Sequence, residues 1–144
     1  MKTPVFKGSC TAIVTPFGEH GIDYERLGRN LDFQYENGTA AVVVCGTTGE
    51  NATLSGDEHQ ELVRVTLREN AGRMKVIVGV GSNNTLAALK KAEGAKAAGA
   101  DAILMVTEND ARGKFRTART KEKQHKCSFS SVQSLSRVRL FATP

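Results

Sequence analysis

Between residues 10 and 107 the chain repeats one alternation. A short apolar run is followed by a polar break rich in Gly, Asn, Ser or Thr, and then by a longer stretch with apolar residues at helical spacing. The apolar runs fall at residues 10–15 (CTAIVT), 40–45 (AAVVVC), 75–80 (KVIVGV) and 102–107 (AILMVT). The last three are almost continuously apolar, as strands covered on both faces are, and they predict a parallel sheet. Three helices are expected between the strands. The first spans about residues 24–37, with Asp23 as N-cap, Leu27, Leu31 and Tyr35 facing inward, and Gly38 supplying the left-handed turn at its end. The second opens on Ser55, Gly56, Asp57 and Glu58, a capping box that satisfies two otherwise unpaired amides, and turns Leu62, Val63, Thr66 and Leu67 inward. The third spans about residues 85–98 and ends at Gly99. It carries Ala88, Ala92 and Ala95 on one side with Leu86 and Leu89 beside them, and small alanines let a helix lie close on a sheet.

Strand, loop and helix units of this kind build either an open doubly wound sheet or a closed barrel, and the pattern alone leaves both open. In both, chemistry gathers in the loops that follow the carboxyl ends of the strands.

A length of 144 residues with 40% hydrophobic and 24% charged residues is globular and suits one ordinary domain. No run approaches the roughly 18 to 20 apolar residues that span a bilayer, and the first residues lack an export signal, so a cytoplasmic protein without a membrane partner is expected. Cys10, Cys45 and Cys127 are odd in number and widely spaced, which argues against a disulfide framework or a zinc site. Cys45, within AAVVVCG, reads as a small buried thiol.

The net charge of +5 suggests nucleic acid until the chain is divided at Glu108. Residues 1–108 carry 11 Lys and Arg against 13 Asp and Glu, a net of −2, whereas residues 109–144 carry 9 against 2, a net of +7. Two parts are therefore expected: a folded portion over 1–108 and a basic tail over 109–144. High charge and few large apolar groups favour disorder in that tail, up to a short apolar run at residues 132–141.

The loop after the second strand, Gly46-Thr47-Thr48-Gly49-Glu50-Asn51, sets two hydroxyls between glycines where backbone amides are also free. Such a turn suits a small anion, and equally an ordinary strand-to-helix connection capped by threonine. A Walker loop is excluded, since no Gly-Lys-Ser/Thr follows. Gly79-Val80-Gly81-Ser82-Asn83-Asn84 begins like a dinucleotide turn but has Asn84 in place of the third glycine, which favours a tight turn with an asparagine cap. His59, next to the capping Glu58, reads first as a packed or hydrogen-bonded histidine.

Taken in order, GSCTAIVTPF (8–17), ENGT (36–39), CGTTGENATLS (45–55), DEH (57–59) and VIVGVGSN (76–83) resemble the dihydrodipicolinate synthase family, whose wider class includes N-acetylneuraminate lyase. The resemblance covers residues 1 to about 107. It implies the first half, about four strand-helix units, of a TIM (β/α)8 barrel, and a lyase in which a lysine forms a Schiff base with pyruvate for attack on aspartate semialdehyde. It implies no cofactor, pyruvate as the small-molecule ligand, and homo-oligomers among the relatives. It assigns Thr47 to a proton relay and Thr48 to the pyruvate carboxylate, and makes Glu50, His59 and Asn83 candidate contacts for a lysine effector. The chain departs from the family after AILMVT, where a proline and two tyrosines are expected and Glu108, Asn109, Asp110 and Ala111 stand instead. The Schiff-base lysine and relay tyrosines have no counterpart, and the tail lysines have no strand context to desolvate them, so an inactive chain is expected. The competing reading is a non-catalytic interaction protein whose basic tail meets nucleic acid or another acidic surface. Only Phe115 and Phe129 could stack bases along the charged stretch, so specific nucleic-acid recognition is not expected.

Overall fold

The computed structural model describes residues 4–106, 132–135 and 138–142. In chain order its elements are β1 (Cys10–Ala12), β2 (Phe17–Gly18), β3 (Gly21–Ile22), α1 (Tyr24–Glu36), β4 (Ala41–Val44), α2 (Gly56–Asn70), β5 (Lys75–Gly79), α3 (Thr85–Ala98), β6 (Ala102–Val106), β7 (Val132–Leu135) and β8 (Val138–Ala142). All three expected helices are present within a residue or two of their expected ends. Asp23 caps α1 by accepting the Arg26 N–H, and both halves of the Ser55–Glu58 capping box form at α2. Gly38 and Gly99 take positive φ after α1 and α3. At α2 the left-handed residue is Ala71, with φ 47°, where no glycine announces it.

β1, β4, β5 and β6 pair in parallel and in chain order, with Thr11 opposite Val42, Val42 opposite Val76 and Ile77 opposite Ala102. This order decides between the two architectures. A doubly wound sheet reverses its strand order and carries helices on both faces, whereas here the order never reverses. Val42, Val44, Val76, Val78 and Ile103 pack on one face with Leu27, Leu31, Leu62, Val63 and Ala95 of the helices. The opposite face presents Ala41, Val43, Ile77 and Ala102, with Val5, Phe6 and Leu104 against it. Helices on one face and small apolar side chains on the other make an arc of a barrel wall.

Several expectations need correction. Leu27 and Leu31 are buried on α1, but Tyr35 is 48% exposed, and its ring lies 5.1 Å from the Arg73 guanidinium carbon. Leu86 and Leu89 on α3 are exposed, because only the alanine side of that helix meets the sheet. The β2–β3 hairpin was not expected, since two-residue strands leave no period to read. The short apolar run expected at residues 132–141, where the charged part of the tail ends, carries two strands. β7 and β8 pair antiparallel, and β8 lies antiparallel along β6, with Leu104 opposite Leu140. The edge of β6 is thereby paired, as an edge with free N–H and C=O groups favours. Residues 109–131, including Cys127 and the tail lysines, lie outside the described residues.

Candidate functional site

The carboxyl ends of β4 and β5 open into a cleft of about 450 Å³, lined by Cys45, Gly46, Thr47, Glu50, Asn51, Ala52, Gly79, Gly81, Ser82, Asn83, Lys91 and Leu104. Its main wall is the loop from β4 to α2. The loop is wound into turns by the Gly49 N–H donating to the Gly46 carbonyl at 3.1 Å and the Glu50 N–H donating to the Thr47 carbonyl at 3.1 Å. Cys45 and Glu50 take left-handed φ values of 54° and 56°, and this strained course turns the backbone away from the strand direction.

Three contacts hold the loop. Buried Thr15, beyond β1, donates its hydroxyl to the Gly49 carbonyl at 2.7 Å. The Asn51 amide donates to the Gly81 carbonyl at 2.8 Å. Gly79 lies so close beneath that a Cβ there would sit 2.6 Å from the Cys45 carbonyl carbon and 2.9 Å from the Gly46 Cα. The reading of the β5 glycines as turn residues is thus refined, because Gly79 is needed for close approach of two backbones.

Thr47 and Thr48 are both exposed on this turn, and of the two Thr47 lines the cleft. Glu50 and Asn83 share the cleft with Thr47. His59 stands apart from them. Its ring is 1% exposed, and its Nε2 lies 2.8 Å from the Gly79 carbonyl, which requires that nitrogen to carry the proton and donate. Nδ1 is buried with no partner among the described residues. Burial drives the imidazole below its usual pKa, and the nearby Lys91 ammonium lowers it further against the Gly79 hydrogen bond, so the ring is neutral at pH 7.

Lys91 is a wall residue that the linear reading did not single out, and its partner Asn51 was named only as the end of the loop. Lys91, half-buried on α3, donates to the Asn51 Oδ1 at 2.7 Å and lies 3.4 Å from the Asn51 carbonyl. Burial lowers its pKa, because the low-dielectric wall disfavours the charged form. The Cys45 thiol is pushed up to about 12 by burial and stays protonated, consistent with a packed thiol and not a nucleophile. Among the described residues no helix is long and apolar enough to cross a membrane.

The profile of the Dihydrodipicolinate synthetase family matches residues 5–116. The 4-hydroxy-tetrahydrodipicolinate synthase of Thermoanaerobacter is 49% identical over 104 residues, covering 72% of this chain and 35% of that enzyme. The enzyme of the same name from Caldicellulosiruptor saccharolyticus is 50% identical over 105 residues, covering 72% and 36%. Among solved structures, dihydrodipicolinate synthase from Aquifex aeolicus superposes with a TM-score of 0.68 at 46% identity, over 70% of this chain and 34% of that one. The synthase from Thermotoga maritima gives 0.69 at 44% identity, over 72% and 35%. The chain spans about a third of the length of these relatives, the N-terminal part that forms the first half of their barrel. On the profile match and on these identities, the chain belongs to the dihydrodipicolinate synthetase family.

Proposed function

We propose that this chain supplies the pyruvate-holding part of a lyase of the 4-hydroxy-tetrahydrodipicolinate synthase type, and that alone it binds pyruvate without turning it over. The whole reaction would be condensation of pyruvate, held as a Schiff base, with aspartate semialdehyde. The observation that carries the reading is the turn at residues 46–51, which is fixed by Thr15, Asn51 and Gly79 and leaves Thr47 and Thr48 exposed at the strand ends. A carboxylate held by the Thr48 hydroxyl and a backbone amide gains charge-assisted hydrogen bonds, and the adjacent Thr47 hydroxyl can pass a proton. Glu50 and Asn83 would meet an effector entering the cleft, with Lys91 beside them selecting against the cationic lysine that the resemblance implies, and His59 supports them from behind by fixing Gly79.

Carboxylate binding does not by itself activate the methyl carbon of pyruvate. The covalent imine does that, and it needs an amine held against the bound carbonyl. The sequence reads Glu108-Asn109-Asp110 where the family resemblance calls for a proline and two tyrosines, which supports a chain that lacks its relay. The test is a pyruvate titration followed by the amide signals of residues 45–51, together with an assay for aspartate semialdehyde consumption. Saturable shifts that weaken in Thr48→Val, with no consumption, are expected. Turnover of aspartate semialdehyde, or pyruvate binding indifferent to Thr48, would overturn the reading.

A further inference from the structure

Lys91 is the half-buried cation of the cleft, and its surroundings leave its charge without a counterion. Among the described residues it has no carboxylate within 4.0 Å, and its hydrogen-bond partners are the two oxygens of Asn51. Asn51 is itself fixed, since its amide nitrogen donates to the Gly81 carbonyl while its Oδ1 accepts from Lys91. The ammonium is therefore held in one place with one of its three N–H donors uncommitted. Glu50, the other charged residue of the wall, is exposed and forms no ion pair with it. Ser82 and Asn83 line the same cleft, and neither side chain donates to a protein acceptor among the described residues.

A cation taken partly out of water without a partner costs free energy, and an anion entering the cleft recovers it. The uncommitted ammonium N–H, the Ser82 hydroxyl and the Asn83 amide are all donors, and the acidic side chain of the lining, Glu50, is exposed and unpaired with Lys91. We propose that Lys91 makes this cleft a receptor for a small oxyanion, a carboxylate or a phosphate group, bound against α3 and the β4–α2 loop. The site shares the cleft with Thr47 but uses different donors. Its charge disfavours a cationic amino acid, so free lysine is the wrong ligand for it.

The test titrates the full chain at low ionic strength with inorganic phosphate, with acetate and with L-lysine, following the amide signals of residues 50–52 and 79–83. Saturable binding of phosphate or of acetate is expected, and the tighter of the two assigns a phosphate or a carboxylate group. Lys91→Met should weaken that binding about tenfold, the value of one charge-assisted hydrogen bond. Lys91→Arg should keep most of it, and Lys96→Met, on an exposed position of the same helix, should bind as the parent does. Lys91→Met should leave the pyruvate shifts of residues 45–49 as they are in the parent, so that a failure of the threonine reading and a failure of this one are told apart. Unchanged affinity in Lys91→Met, an equal loss in Lys96→Met, or tighter binding of L-lysine than of either anion would overturn the proposal.

Discussion

A methyl group at Gly79 has no space to occupy, because the carbonyl of Cys45 fills it. Gly79→Ala must therefore separate β5 from the loop that carries Thr47 and Thr48, and a loss of about 3 kcal/mol or more is expected, at the upper end for overpacking a tight site. Urea denaturation of the variant measures it, and a midpoint within error of the parent would contradict the close approach. Gly79 also receives the His59 hydrogen bond on its carbonyl, which ties the same position to pH. Burial holds the His59 pKa below its ordinary 6.5, so the unfolded chain binds a proton more readily than the folded one. Its contribution to stability is thus complete above pH 6.5 and is lost as the pH falls from there through the lower folded value. Urea midpoints taken from pH 8 down to pH 5 should fall more steeply for the parent than for His59→Gln, and parallel curves would show that His59 does not titrate between the two states.

Helix α2 begins on a reciprocal pair, with the Ser55 hydroxyl accepting from the Glu58 N–H at 3.2 Å and the Glu58 carboxylate accepting from the Ser55 N–H at 2.8 Å. Ser55→Ala removes one half of it and should cost about 1 kcal/mol, the usual value of an N-cap. Thermal unfolding of the variant reads this directly. Such caps were legible because a helix start depends on residues three apart, and the strands were legible because β4 and β5 are apolar on both faces. What depends on distant packing was not. Lys91 reaches the cleft through Asn51, 40 residues away, and nothing in the local sequence of α3 marks it. Thr15 is likewise 34 residues from the Gly49 carbonyl it holds. Tyr35 fits the apolar period of α1 but lies where the helix turns outward toward Arg73, a partner that no periodicity shows. The turn at residues 46–51 was legible as a candidate site, whereas the choice between Thr47 and Thr48 as cleft lining required the course set by Cys45 and Glu50.

The sheet as a whole has two unlike sides and two unlike edges. Helices cover one side, and a few residues led by Val5 and Phe6 meet the other. β1 forms one edge of the parallel set, while β6 is completed by antiparallel β8. Removing residues 132–144 should uncover the β6 backbone and promote association, seen as larger species in sedimentation velocity. A truncated chain that sediments as the parent does would show that β8 does not protect this edge. β4 and β5 differ from all the other strands in having parallel neighbours on both sides and buried residues on both faces. Their amides can reach deuterated solvent only when the sheet itself opens, so their exchange should report the global unfolding free energy, while the α1 and α3 termini and the β2–β3 hairpin exchange through smaller fluctuations. The turn proposed to hold pyruvate springs from the end of β4, in the last part of the protein to open. A ligand held there would thus be released by loop motion long before the strand beneath it gives way.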